Sequence, residues 1–371
     1  MRVLMTCGGT GGHINPAIAI ANTIKNNIPG AEILFVGARR DKEGVLVPRE
    51  GYEIRFVESQ GIRRSLSLSN IKAIYMALVS PYKAKPILKE FAPDVVIGTG
   101  GYACWPVLRA ASMMGIPCAV HESNARPGMA VKRLQKHVNK ILVNFDKTRD
   151  ELTCKDKVIT VGNPLRSAFS HMEKGAAREK LGIPKDAFFV LSYGGSGGAE
   201  FLNETIVKVM GLLSKKSCNV ILQHAAGNRD YEATKARFAE LGLEGSPNFK
   251  LEEYIFDMPV RMAAADLVIC RAGAMTVSEL AMMGKASILI PSPNVTDNHQ
   301  YLNAKVLADA GAACLLEEAH LTPELVCQNI EHYLVSAEQR ERMEALIKDF
   351  ADPDANRRIF DEIMELAKSN K

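Results

Sequence analysis

The sequence predicts an α/β protein of two doubly wound domains, each with a parallel sheet. Three observations carry that expectation. A short apolar strand, Val3-Leu4-Met5, runs into four glycines within five positions, Gly8-Gly9-Thr10-Gly11-Gly12, and then past His13 into an amphipathic run from Ile14 to Ala21. Strand, glycine turn and helix start together aim backbone N–H groups and a helix N-terminus at an anion. One such loop is a weak signal, but the unit recurs about halfway along, where Phe188 to Tyr193 leads into Gly194-Gly195-Ser196-Gly197-Gly198-Ala199. Several apolar runs between these loops are continuously hydrophobic, as expected of parallel strands covered on both faces.

The elements follow in βα order. In the first half, strands are expected at residues 33–37, 54–57, 95–98, 118–121 and 141–144. Val158-Ile159-Thr160-Val161 then leads into Gly162-Asn163-Pro164-Leu165-Arg166, which reads as the connection between domains. In the second half, strands are expected at 188–193, 219–223, 250–254, 267–270 and 287–291. The chain closes on a helix from Asp354 to about Lys368 with Ile359, Ile363 and Leu366 on one face.

Composition narrows the class. With 371 residues, 47% hydrophobic and 24% charged, two ordinary cores are expected. The eight cysteines are scattered without a C-x-x-C pair, which reads as reduced, buried thiols in a cytosolic protein. A strand begins within two residues of Met1, leaving no room for a signal peptide. Residues 1–160 hold 23 Lys+Arg against 13 Asp+Glu, net +10, and the remainder holds 23 against 29, net −6. The first half is thus expected to meet something anionic. No aromatic-basic interleaving points to nucleic acid. A membrane surface fits better. Ile71 to Val79 has an apolar face and a cationic fringe, with Lys83, Lys85 and Lys89 after it and Arg63 and Arg64 just upstream. It reads either as a helix packed on its sheet or as one resting in the lipid interface. The longest weakly charged stretch, Ala103 to Val120, contains Pro106, Arg109, Gly115 and Pro117, so membrane contact is expected to be peripheral.

The chemistry is expected at the loops. After the strand 267–270, Arg271 to Leu280 reads as another strand-to-helix turn, with the amides of Ala274, Met275 and Thr276 facing an anion. Glu279 would accept two hydrogen bonds from a vicinal diol such as ribose, or would offset the helix macrodipole. Asp352-Pro353-Asp354 matches a D-x-D metal motif in form, but Pro just before a helix favours capping. No ligand cluster stands out among the eight histidines, and His171 and His224 lie in structural or exposed contexts.

Six motifs occur in an order that resembles the MurG family, the UDP-N-acetylglucosamine:undecaprenyl-diphospho-muramoylpentapeptide N-acetylglucosamine transferases. They are Gly8 to His13, Gly100-Gly101-Tyr102, His121-Glu122-Ser123-Asn124, Val161 to Arg166, Gly194-Gly195-Ser196 and Cys270 to Glu279. The resemblance spans about residues 2–360. It implies a GT-B fold, two Rossmann-like domains facing across a cleft. Residues 1–161 plus 350–371 would form the acceptor-binding, membrane-facing domain, and 162–349 the donor-binding domain. It further implies transfer of N-acetylglucosamine, with inversion and without metal or other cofactor, to the 4-hydroxyl of the lipid-linked muramoyl sugar. The partners implied are UDP-N-acetylglucosamine, the undecaprenyl-linked acceptor, an anionic membrane surface at its cytoplasmic face, and the cell-wall synthesis machinery.

Carried over residue by residue, Glu279 resembles the ribose ligand, while Ser196, Ala274, Met275 and Thr276 resemble diphosphate contacts. Arg166 resembles an arginine near the donor phosphates, Ile255 a uracil reader through its backbone, and Asn124 and Gln300 sugar contacts. Thr10, Gly11 and Gly12 would also serve the donor; Gly9, Thr10, His13 and Tyr102 the acceptor. Inversion needs a general base on the acceptor hydroxyl. His13 could be that base, or could hold the loop or bind acceptor phosphate; Glu122 is the other candidate. Gly197, Ser123 and His299 depart from common family members, and so does Trp105-Pro106 on the acceptor side. Three rivals remain. A relative acting on another lipid such as diacylglycerol would differ at residues 121–124 and 276–279. A dinucleotide oxidoreductase would need G-x-G-x-x-G and an acid after the second strand, where Val36-Gly37 stands. A non-catalytic nucleotide-sugar regulator would lack His13, Tyr102 and Glu122.

Overall fold

Continuously apolar runs become the centres of two parallel sheets, because a strand covered by helices on both faces has no polar side to show. The computed structural model describes residues 1–38, 42–58, 68–169, 172–195, 197–295 and 298–368, with residues 68–77 described by their backbone alone. The chain divides into two units, Met1–Arg166 with Asp352–Lys371, and Ser167–Ala351.

The first unit holds β1 (Arg2–Thr6), β2 (Glu32–Ala38), β3 (Glu53–Val57), β4 (Val95–Gly98), β5 (Cys118–Glu122), β6 (Lys140–Val143) and β7 (Val158–Thr160). Their order in the sheet is β3-β2-β1-β4-β5-β6-β7, all parallel where paired. The helices are α1 (Gly11–Asn27), α2 (Glu43–Arg49), α3 (Leu68–Phe91), α4 (Cys104–Met113) and α5 (Met129–Leu134). In the second unit lie β8 (Phe188–Tyr193), β9 (Val220–Ala225), β10 (Phe249–Glu252), β11 (Leu267–Cys270), β12 (Ser287–Leu289) and β13 (Cys314–Leu315). These run β10-β9-β8-β11-β12-β13, again parallel. Around them pack α6 (Lys174–Leu181), α7 (Glu200–Leu213), α8 (Tyr231–Glu240), α9 (Met258–Ala264), α10 (Ala274–Met283), α11 (His299–Asp309), α12 (Pro323–Val335) and α13 (Ala337–Lys348).

Each sheet reverses direction of growth once: between β1 and β4 in the first unit, and between β8 and β11 in the second. Such switch points open a crevice at the carboxyl ends of the strands, where ligands of α/β proteins collect. Both glycine loops follow a strand at a switch point. The last helix, α14 (Ala355–Lys368), belongs to the first unit. Its Ile359, Ile363 and Leu366 are buried in one cluster with Ile20 and Ile24 of α1. Each buried aliphatic side chain there contributes roughly 1.5–3 kcal/mol. Asn356 clamps the connection from β7, accepting from the Leu165 amide (3.0 Å) and donating to the Leu165 carbonyl (2.7 Å).

The differences from the expected elements have local causes. β12 stops at Leu289, short of Pro291, which has no N–H to give a ladder. β13 has two residues at a sheet edge, too short for a pattern. α3 runs through Pro81 and Pro86. The side chains of Ile71 to Ala77, on which the lipid-facing expectation largely rests, lie outside the described residues; beyond them Leu78 is 67% and Tyr82 60% exposed. No helix among the described residues is long and apolar enough to cross a membrane. All eight cysteines are free thiols. Asp352 pairs with Arg358 in the first turn of α14.

Two buried histidines make stability pH-dependent. Burial lowers His121 from 6.5 to about 4, against a hydrogen bond to the Gly162 carbonyl. Burial likewise lowers His224 to about 3; its Nε2–H donates to Asn203 Oδ1 (3.0 Å) and its Nδ1 accepts from Ser192 (3.1 Å). A depressed imidazole stays neutral in the fold while the unfolded chain takes up a proton below about 6.5. Stability is therefore full above that pH and declines as pH falls toward 4 and then 3. At pH 5 each histidine is expected to cost about 2 kcal/mol. Thermal unfolding at pH 7.5 and 5 checks this: His224→Gln should flatten the dependence, and an unchanged slope would refute the assignment.

Candidate active site

At the first switch point, glycine is required by close approach. A Cβ on Gly101 (φ +89°) would lie 2.1 Å from the Gly8 carbonyl oxygen, and one on Gly100 (φ +100°) 2.5 Å from His13 Nδ1. The loops after β1 and β4 therefore pack backbone to backbone, and this brings Gly9, His13 and Tyr102 together. The His13 ring donates from Nδ1 to the Thr99 carbonyl (3.0 Å), and the Thr99 hydroxyl donates to the His13 carbonyl (2.7 Å). With its proton on Nδ1, the neutral imidazole has Nε2 as its basic nitrogen. Tyr102 is 59% exposed beside Gly9. Cys104, fully buried, has its one S–H between the Gly100 carbonyl (2.9 Å) and the Thr6 carbonyl (3.2 Å) and accepts from the Gly100 amide, tying the two loops from behind.

Thr10 is the N-cap of α1, with no side-chain cap and no acid in the first turn. The amides of Gly11 and Gly12 thus stand at a positive helix end of the kind that attracts anions. The Gly9 amide is used otherwise: it donates to Glu43 Oε2 at 3.3 Å. The loop was expected to aim backbone N–H groups at an anion, with Gly9 on the acceptor side; this one amide has a partner within the protein.

Glu122, expected as an alternative base, is buried at the end of β5 with three donors on its carboxylate. Oε1 accepts from the Asn124 amide and side chain (3.0 Å each), and Oε2 from the Gly128 amide (2.7 Å). Both oxygens thereby hold the 123–128 turn, and Asn124 is held within it. Ser123 is buried, its hydroxyl unpartnered. Arg166 ends the first unit half-buried, its guanidinium 3.5 Å from Glu50.

The second switch point repeats the plan. A Cβ on Gly198 (φ +81°) would come 2.4 Å from the Ala226 carbonyl oxygen, so the loop after β8 packs on the loop after β9. Asn203 donates to that same carbonyl (2.9 Å) and accepts from His224, fixing α7 to the end of β9. Ser196 lies outside the described residues. Beside this loop α10 begins with Gly273 as N-cap, again with no side-chain cap and no first-turn acid. Ala274 and Met275 are buried and Thr276 half-buried. Glu279, the sixth residue of α10 and 8% exposed, stands past the first turn, so it is not the macrodipole acid that sequence alone allowed. Burial first, then the Cys270 thiol and the Glu279 carboxylate, push the Tyr193 phenol well above its usual range. β8, β11 and α10 thus converge on one polar spot.

Ile255 buries its side chain in the core after β10, leaving its main chain for any recognition. Gln300, the second residue of α11, accepts from the Ser292 amide (2.9 Å). The same loop is held by Arg271, which donates to the Ile290 and Pro291 carbonyls (3.1 Å each) and pairs with Glu318. Sequence reasoning assigned no role to Glu43, Thr99, Cys104, Tyr193, Asn203 or Arg271. Of these only Arg271 lay inside one of the six motifs, and Tyr193 ended the strand before the second glycine loop. Among the described residues no group of three or more His, Cys, Asp or Glu could hold a metal ion.

The first unit matches the Glycosyltransferase family 28 N-terminal domain over residues 3–143, and residues 189–359 match the family's C-terminal domain. Fold and loops therefore define a glycosyltransferase with two Rossmann-like domains, the GT-B architecture. Curated relatives named UDP-N-acetylglucosamine–N-acetylmuramyl-(pentapeptide) pyrophosphoryl-undecaprenol N-acetylglucosamine transferase include that of Acetivibrio thermocellus. It is 42% identical over 369 residues, covering 100% of this chain and 99% of its own. That of a Thermoanaerobacter species is 41% identical over 360 residues, covering 97% and 98%. The crystal structure of Acinetobacter baumannii MurG aligns with a TM-score of 0.70 at 28% identity, covering 98% of this chain and 99% of that one. The chain belongs to this N-acetylglucosamine transferase family.

Proposed function

We propose that this chain moves N-acetylglucosamine from UDP-N-acetylglucosamine to the 4-hydroxyl of the muramoyl sugar of undecaprenyl-diphospho-muramoylpentapeptide, converting lipid I to lipid II in peptidoglycan synthesis. The observation that carries this reading is the end-to-end match, at 42% identity, to the Acetivibrio thermocellus transferase. The second unit holds the donor. Glu279 takes the ribose diol, the N-terminus of α10 with Ala274, Met275, Thr276 and Ser196 takes the diphosphate, and the main chain at Ile255 reads uracil. Gln300 and Asn124 serve the sugar. The first unit takes the acceptor at Thr10, His13 and Tyr102.

In a single inverting displacement the acceptor oxygen attacks the anomeric carbon as its bond to UDP breaks. His13 Nε2 takes the hydroxyl proton. The electron pair leaves on the diphosphate, stabilised by helix N-terminal amides and the Arg166 charge. This field makes a metal unnecessary. Glu122 is assigned the holding of the 123–128 turn. Exposed Leu78 and Tyr82, with Lys83 and Lys85 nearby, support peripheral contact with the anionic cytoplasmic membrane surface.

The test is transfer from labelled UDP-N-acetylglucosamine to a short-chain lipid I analogue with a chelator present, alongside sedimentation with anionic vesicles. Product in chelator and vesicle binding are expected. Loss of product on chelation would overturn the metal-free mechanism. Transfer to diacylglycerol in place of the lipid I analogue would overturn the acceptor assignment, and no sedimentation the membrane contact.

A further inference from the structure

Glu43 opens α2 in a charged stretch, yet its side chain turns inward and is 1% exposed. It enters between two glycines: a Cβ on Gly37 would lie 2.8 Å from its Cγ, and one on Gly8 3.1 Å from its Oε1. Oε1 accepts from the amide of Ala38, the last residue of β2, at 3.2 Å, and Oε2 from the amide of Gly9 at 3.3 Å. No ion pair with Glu43 occurs among the described residues. An ionised carboxylate is an acceptor only, so it can serve both N–H groups at once; an amide would set its own NH2 against one of them. Burying such a charge is costly, and here it is offset by backbone donors from the end of β2 and from the first glycine loop.

We propose that Glu43 is a positioning residue for acceptor use. It staples the first glycine loop to β2, withholds the Gly9 amide from ligand, and directs the acceptor's phosphates to the Gly11 and Gly12 amides of α1. This inference rests on the proposed function, because it needs a diphosphate acceptor. The negative charge behind the loop disfavours a second anion lodged in the loop itself and leaves the helix end as the anion's seat. The residue touches neither substrate; it acts through Gly9 on the geometry of Thr10 to His13.

The full chain, Glu43→Gln and Glu43→Ala are compared in three measurements. Acceptor kcat/KM should fall roughly 10- to 100-fold in Glu43→Ala and less in Glu43→Gln, as expected when one or both buried donors lose their partner. UDP binding by calorimetry should stay within about twofold, since Glu43 bonds to the Gly9 and Ala38 amides and to none of the groups assigned to the donor. Amide exchange over residues 4–13 should quicken at Gly9 in both variants at temperatures well below unfolding. Equal losses on donor and acceptor sides, or acceptor kinetics unchanged in Glu43→Ala, would overturn the proposal. Wild-type protein without transfer would sink the functional reading alone; exchange at Gly9 then decides the staple, and unchanged exchange refutes it.

Discussion

Glu279→Ala should weaken UDP-N-acetylglucosamine binding by roughly 30- to 300-fold, the loss expected for two hydrogen bonds from a diol to a charged carboxylate. The expectation rests on position. Glu279 lies beyond the first turn of α10, 8% exposed, beside the uncapped helix N-terminus and close enough to influence the Tyr193 phenol. The proposed donor pose, with its phosphates on that N-terminus, puts the ribose at Glu279. Calorimetry with UDP and with 2′,3′-dideoxy-UDP separates this role from a structural one. Wild type should lose with the dideoxy compound about what the variant loses with UDP, and the variant should bind both alike. Equal affinity of wild type and variant for UDP would remove Glu279 from the donor site.

His13→Ala should lower kcat by roughly 10²- to 10⁴-fold, the usual contribution of a positioned base, while leaving UDP affinity within about twofold. The Thr99 carbonyl fixes the Nδ1 proton, and the lack of a Cβ at Gly100 admits the ring. Added imidazole should restore part of the His13→Ala rate, because a small base can occupy the volume left by the side chain. A loss below tenfold, or a defect confined to acceptor KM and insensitive to imidazole, would instead make His13 a loop or phosphate-binding residue.

The sites differed in how much of them could be read along the chain. The glycine loops were legible because a strand, consecutive glycines and an amphipathic run are local patterns, and the steric need behind them shows in composition. Glu279 was visible as an acid after a strand-to-helix turn, but its two readings separated only when the helix start at Ala274 placed it past the first turn. Glu122 looked like a base because sequence cannot count the donors on a carboxylate; three of them come from the turn that follows it. Glu43 carried no signal along the chain, since its partners, Gly9 and Ala38, are brought together only by the pairing of β1 with β2. His224 gave no local sign that Ser192 and Asn203 would enclose it.

Strand and helix periodicity, the repeated glycine loop and the uneven charge are properties of neighbouring residues, so the chain determined by itself that it would form two parallel α/β units with anion-seeking loops. Which loops meet depended on strand order. Placing β4 beside β1 and β11 beside β8 set Thr99 against His13 and α10 beside the second glycine loop. His13 and Thr99 lie 86 residues apart, where no local pattern reaches. Tertiary structure alone decided which carboxylates are held by backbone amides, because hydrogen bonds are satisfied in space and not along the chain.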